Sequence, residues 1–163
     1  MTEGKPVRES ISEYSELALP TDVNPLGNVL GGKVMHLVDL AAALAATRHT
    51  RLPVVTVSVD SMQFLEPVHV GELLVLRSSV NRVFRTSMEV GVKVMTENLL
   101  TGNRVHTCSA YLTFVALDEM GKPMVAPQVI PETEEEERRY REAGQRREYR
   151  LAQRQRAERP AAV

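Results

Sequence analysis

The sequence predicts an α+β fold in which one antiparallel five-stranded sheet has a single long apolar helix to cover, with a charged helix following at the C-terminal side. Three observations predict it. Residues 31–49 form one apolar, alanine-rich run of helical length. From Pro53 to Leu117 the texture changes to β-branched residues with period two, broken only by short turn segments, and such connections join antiparallel neighbours. After Thr133, glutamates open a segment that arginines then fill, the favourable sense for a helix dipole. A chain of 163 residues is long enough to bury one substantial core, so a single domain is expected.

Residues 1–10 are polar and carry Gly4 and Pro6, which predicts a flexible N-terminus. Ile11, Leu17 and Leu19 fall at alternating positions and predict a strand over 11–19, ended by Pro20. A loop from Thr21 to Leu30 delivers Gly31-Gly32 to the helix. Within that helix Val34, Met35, Leu37, Val38, Leu40 and the residues from Ala41 to Ala46 leave almost no polar face, the pattern of a helix buried in the middle of a fold. Arg48, His49 and Arg51 suit its negative end, and Pro53 prevents continuation.

Strands are expected over 54–64, 73–83, 87–95 and 105–117. In the third of these Met88, Val90, Val92 and Val94 share one face, while Ser87, Glu89 and Lys93 share the other. The segment 118–131 holds Gly121, Pro123, Pro127 and Pro131 and reads as irregular. Thr133, with Glu136 three residues on, is a capping signal for a surface helix that frays before Arg159-Pro160. The expected boundaries are a flexible end over 1–10, a domain over 11–127, and a linker with a charged helical tail over 128–163.

A net charge of −1 gives no global attraction to nucleic acid or membrane. No apolar run approaches the roughly 20 residues needed to span a bilayer, so a soluble, cytoplasmic protein is expected. The single cysteine, Cys108, excludes an internal disulfide and suits a reducing compartment, where it reads as a small buried hydrophobe. His36, His49, His69 and His106 have neither the spacing nor the acidic companions of a zinc site, so no metal is expected. No G-x-S-x-G elbow, phosphate-binding loop or dinucleotide motif occurs.

Two features carry possible chemistry. Asp39 is a carboxylate in the middle of an apolar helix, costly unless it is paired or faces a wet cleft. Gly31 and Gly32 open that helix, where unpartnered amides and the positive dipole end can hold an oxyanion; equally, glycines there could serve a turn needing unusual dihedrals. Asn24 and Asn28 flank the preceding turn and could hold a water or a carbonyl, or simply stabilise the loop.

The pattern D-x-N-x-x-G-N-x-x-G-G from Asp22 to Gly32, with Asp39 seven residues later, resembles the hotdog-fold acyl-CoA thioesterases, most of all the cytosolic acyl-CoA hydrolases. Thr47-Arg48-His49, Ser58-Val59-Asp60 with Phe64, Thr86-Ser87-Met88-Glu89, Tyr111 to Val115 and Pro127 to Glu134 are similar as well. The resemblance spans residues 17–156 and implies a hotdog domain, a sheet wrapped around a central helix. It further implies hydrolysis of a fatty acyl-CoA to free fatty acid and CoA. Position by position, it implies Asp39 as catalytic base or nucleophile, Asn24 as the residue orienting water or substrate, and the Gly31 and Gly32 amides polarising the thioester carbonyl. Asn28 ranks below Asn24. Arg82, Arg85, Thr86 and Ser87 are candidate contacts to the CoA arm.

No cofactor is implied, because CoA is part of substrate and product. The implied partners are the acyl-CoA and further copies of the chain, a dimer first and then a trimer of dimers; no nucleic acid or membrane is implied. Seven residues of helix span about 10 Å, so Asp39 is expected to face a partner's glycines rather than its own, making each site composite. Two other hotdog activities compete: a non-catalytic acyl-CoA sensor, and a hydratase or dehydratase, for which His36 would stand near Asp39.

Overall fold

The computed structural model of the chain describes residues 3–158. In order, the elements are β1 (Lys5–Pro6), β2 (Ser12–Leu17), α1 (Gly31–Thr50), β3 (Val54–Val59), β4 (Leu73–Val83), β5 (Ser87–Glu97), β6 (Arg104–Ala116), β7 (Val129–Ile130) and α2 (Glu134–Ala157). The main sheet has five strands in the order β2-β4-β5-β6-β3, and every neighbouring pair is antiparallel. The hotdog arrangement is therefore present, with α1 against one face of the sheet and α2 against the other.

Packing follows from two periodicities. Val34, Leu37, Val38, Ala41, Ala42, Ala45, Ala46 and His49 form the buried stripe of α1. Alternate residues of the sheet meet it: Leu74, Leu76 and Val80 from β4, Met88 to Val94 at even positions from β5, and Cys108, Ala110, Leu112 and Phe114 from β6. The alanines bring sheet and helix so close that Ser78 Oγ donates to the Ala41 carbonyl at 2.7 Å. Cys108 lies fully in this core, where burial pushes its thiol pKa up.

Four expectations meet a different arrangement. α1 is not buried all round: Met35, Leu40 and Leu44 are 48%, 40% and 45% exposed, because five strands curl round only one side of it. The strand expected over 11–19 is regular only from Ser12 to Leu17, with Ile11, Leu17 and Leu19 exposed while Ser12 and Ala18 are buried. The strand expected over 54–64 ends at Val59, and residues 60–65 return toward the start of α1 without regular structure. The segment expected to be a flexible end holds β1, which pairs in parallel with β7, and buries Val7 and Ser10.

α2 is more than a solvated tail. Thr133 Oγ1 accepts from the Glu136 amide at 3.2 Å and the Glu136 carboxylate accepts from the Thr133 amide, completing the expected capping box. The helix then lies on the outer face of the sheet. Ala143 is buried there, and Arg82 stacks on Tyr140 with its guanidinium 4.4 Å from the ring centroid. A side chain at position 144 would collide with that guanidinium, so Gly144 sits mid-helix despite its poor helix propensity. The expected fraying before Arg159-Pro160 lies outside the described residues.

His49 fastens the last turn of α1. Its Nε2–H donates to the Pro127 carbonyl at 2.8 Å, and Lys5 Nζ donates to the His49 carbonyl at 2.9 Å. Burial holds its pKa below the ordinary value, with the Pro127 hydrogen bond opposing. The unfolded chain therefore binds a proton near pH ~6.5 that the folded chain refuses. Stability is fully present above that pH and is lost as pH falls below it. Thermal melts should show a drop between pH 7.5 and 5.5 that His49→Gln, which keeps an N–H donor but does not titrate, reduces.

Candidate functional site

The loop before α1 is built by Asn24. Its Oδ1 accepts from the amides of Leu26 at 3.0 Å and Asn28 at 3.2 Å, while its own amide donates to the Asn28 carbonyl at 2.8 Å. The Gly27 amide donates back to the Asn24 carbonyl at 2.9 Å, and Gly27 takes the positive φ of 81° that the turn requires. Asn24 therefore cannot accept and donate freely at once: its oxygen is spent on the turn, and its Nδ2 group remains as a donor. Asn28 closes the loop through its backbone and bridges to His69.

Val29 and Leu30 then carry the chain into α1. The Val29 amide donates to Val68 and the Leu30 amide to Asp22, each at 2.8–2.9 Å. Leu30 offers no side-chain cap, so the opening amides at Gly31 and Gly32 have no helical acceptor. Neither glycine has a positive φ. A Cβ on Gly32 would meet nothing within 4 Å, and one on Gly31 would only touch the Phe64 ring at 3.5 Å. Of the two readings of these glycines, the one needing unusual dihedrals fails; what they provide is open approach to the helix start.

Asp39 stands on α1 at the boundary between its buried and open sides. Thr56 Oγ1, on β3, donates to Asp39 Oδ1 at 2.6 Å. This short bond fixes one oxygen in place and leaves Oδ2 without a protein partner among the described residues. β3 is the edge of the sheet, and its register against β6 shifts between Thr56 and Ser58, a bulge that aims Thr56 at the helix. Thr56 was missed in the sequence because a threonine in a β-branched run reads as strand filling. No local signal marks it, and only the packing of β3 beside α1 does. His36 is exposed and makes no hydrogen bond to Asp39 among the described residues.

Within one chain the candidates fall into separate groups. Asn24, Gly31 and Gly32 gather at the start of α1, and Asp39 with Thr56 lies two turns on. Arg82, Arg85, Thr86 and Ser87 sit at the β4–β5 hairpin, whose Ser87 pairs with Val115 beside the Val54–Ala116 pair, at the end of the sheet where α1 finishes. There Arg85 is exposed, whereas Arg82 is turned to α2. A cleft of about 590 Å³ opens on the outer sheet face between Arg77, Lys93, Tyr111 and Arg139, and holds none of the candidates. No helix among the described residues is long and apolar enough to cross a membrane.

Residues 26–102 match the thioesterase superfamily. YkhA of Bacillus subtilis, an uncharacterized acyl-CoA thioester hydrolase, is 44% identical over 129 residues, 79% of this chain and 75% of its own. The chain belongs to this acyl-CoA thioester hydrolase family. It spans only 25% of mouse acyl-coenzyme A thioesterase 11, to which it is 38% identical over 93% of its own length. A crystal structure of an apo-hexameric acyl-CoA thioesterase superposes with a TM-score of 0.90 at 46% identity, covering 93% of this chain and 97% of that one. Acyl-CoA hydrolase from Staphylococcus aureus, solved with butyryl coenzyme A, coenzyme A and coenzyme A disulfide, has a TM-score of 0.88 at 36% identity, covering 94% and 93%. Structures of that enzyme also exist with alanine replacing an aspartate, an asparagine and a threonine.

The open surroundings of Gly32 yield a direct test. Gly32→Ala should leave thermal stability unchanged or raise it by up to about 1 kcal/mol, because the added methyl meets no atom and removes backbone freedom from the unfolded chain. A clear loss of stability would restore the turn-geometry explanation.

Proposed function

We propose that this chain hydrolyses fatty acyl-CoA thioesters to a carboxylic acid and free CoA, in composite sites formed between copies of the chain. The observation that carries this reading is the Thr56–Asp39 hydrogen bond, which holds one oxygen of a helix carboxylate and leaves the other open beside an uncovered helix face. The intervals add support. In the S. aureus enzyme the replaced asparagine, aspartate and threonine follow at fifteen and seventeen residues, and Asn24, Asp39 and Thr56 follow at the same intervals.

In the proposed reaction Asp39 Oδ2 takes a proton from water as the water oxygen attacks the thioester carbonyl. The negative charge that develops on the carbonyl oxygen is met by the Gly32 amide and the positive end of α1, with the Gly31 amide alongside. Asn24 Nδ2, its oxygen spent on the turn, donates to the water or carbonyl. The tetrahedral intermediate collapses with cleavage of the C–S bond, and the departing CoA thiolate takes up the proton held by Asp39, which restores the base; a thiolate is a good enough leaving group that no metal is required. Asn28 keeps the loop closed, and Arg85, Thr86 and Ser87 are the residues we assign to the CoA arm.

The composite arrangement follows from distance and from what one chain leaves uncovered. Gly32 and Asp39 are separated by about 10 Å of helix, too far for one carbonyl to meet both. Met35, Leu40 and Leu44 on α1, and Val55, Val57 and Val59 on the edge strand β3, are exposed apolar side chains that a second copy would bury. An antiparallel pairing of two such copies brings each Asp39 toward the partner's helix start. The hexameric neighbour supports assembly beyond the dimer.

Purified protein supplied with acyl-CoAs of graded chain length should release free thiol. Asp39→Asn should lower kcat by at least about a hundredfold, the scale of losing a positioned base. A variant that binds acyl-CoA and keeps full thiol release would remove Asp39 from the mechanism. Mixed oligomers of Asn24→Ala and Asp39→Asn chains should regain part of the activity, since one site per pair would again hold both residues. Confirmed mixed oligomers without any recovery would rule out sharing.

A further inference from the structure

We propose that Arg150, in the last third of α2, is a positioning residue for both halves of the site and acts through Asp60. The proposal rests on the assignment of Asp39, Thr56 and the helix-opening amides made above.

Asp60 is the first residue after β3, four residues beyond Thr56 and four before Phe64. In one direction the chain leads to Thr56 and its 2.6 Å hydrogen bond to Asp39. In the other it leads to Phe64, whose ring lies against Gly31. A single stretch of backbone thus supports the carboxylate at one end and the helix amides at the other, and Asp60 is the fixed point between them.

That stretch needs an anchor. β3 is paired on one side only, its register is interrupted at Val57, and residues 60–65 have no regular structure. A bulge leaves a residue unpaired and disrupts the ladder locally, and an edge strand has no second neighbour to make up the loss. The anchor comes from the far side of the sheet. The Asp60 carboxylate accepts from Arg150 Nη1 at 3.1 and 3.3 Å, while its amide donates to the Tyr111 carbonyl at 2.9 Å.

Arg150 is itself held in place. Its Nη1 is 3.9 Å from Glu89, a fully buried carboxylate on β5 that Arg146 grips in a fork at 2.7 and 3.0 Å and Asn81 Nδ2 meets at 3.0 Å. The Arg146 guanidinium in turn lies 3.7 Å from the centroid of the Tyr111 ring. Asp60 and Arg150 side chains are only 17% and 22% exposed, so solvent screens this pair far less than the outward pairs of α2. Burial raises the Asp60 carboxyl above its ordinary pKa, and the Arg150 charge opposes the rise.

The test compares Arg150→Met, Arg150→Lys and Asp60→Asn with Arg154→Met, which alters an exposed pair one turn further along the same helix. Two readouts are taken on the full chain: steady-state thiol release, and hydrogen exchange of peptides spanning residues 28–34 and 54–66. Arg150→Met and Asp60→Asn should lower kcat roughly tenfold to a hundredfold, the cost of slight misplacement of reacting groups, with KM within about twofold. Exchange should quicken in both peptides together. Arg150→Lys should recover most of the loss, because every contact of Arg150 to Asp60 uses one nitrogen, and Arg154→Met should change neither readout.

Unchanged kcat with unchanged exchange would overturn the proposal, as would quickened exchange confined to α2. Should wild-type protein release no thiol from any acyl-CoA, the hydrolase reading would fall, and the exchange of the two peptides would still decide whether Arg150 holds them. If Arg150→Met does not fold, the isosteric Asp60→Asn answers the same question.

Discussion

The close seating of α1 on the sheet governs the rest of this molecule. Alanines at 41, 42, 45 and 46 let the strands approach until a sheet hydroxyl reaches the helix backbone at Ala41. Such packing is dense and leaves little latitude in the position of the helix. The start of α1, with its unpartnered amides, and Asp39 two turns on are consequently held in a fixed relation to the central strands β4, β5 and β6. The same seating exposes the other side of the helix, since a five-stranded sheet cannot close around it. The apolar residues left there stay exposed, as does the open edge of β3.

The outer face obeys different physics. Glu89 is fully buried on a strand, a position whose desolvation cost is offset only by excellent geometry. The fork from Arg146, the amide of Asn81 and the nearby Arg150 supply it. Paired groups of this kind specify where α2 must lie more than they add stability, because a helix shifted by one turn would strand the carboxylate. The surface pairs along α2, such as Arg138 with Glu142, carry no comparable specificity. Much of what reads in the sequence as a solvated charge run is therefore a docking seam on one side and solvated on the other.

The fold was legible because its signals are repetitive. The even-numbered apolar residues of β5, the proline after α1 and the Thr133 capping box each state locally what the structure then shows. The alternation in the first strand did not state its facing: at a sheet edge Ile11, Leu17 and Leu19 turn outward while Ser12 and Ala18 turn in. The N-terminal residues were misread because a two-residue strand pairing with Val129–Ile130 depends on a partner more than a hundred positions away. Among the candidate residues, Asp39 and the two glycines stand out by being wrong for their surroundings, an acid in an apolar helix and flexible residues at a rigid start.

Residue order alone determined the class of fold, the helix with its misplaced carboxylate, and the likeness to acyl-CoA hydrolases, all of which rest on local periodicity or on motifs within one stretch. Only the tertiary structure decided that Thr56 holds Asp39, that the oxygen of Asn24 is consumed by its own turn, that Gly31 and Gly32 have ordinary dihedrals, and that Arg150 reaches Asp60 across the sheet. The reason is the same in the long-range cases. A hydrogen bond between residues 17 or 90 positions apart depends on how strands register and helices seat, and neither leaves a mark on the residues nearby.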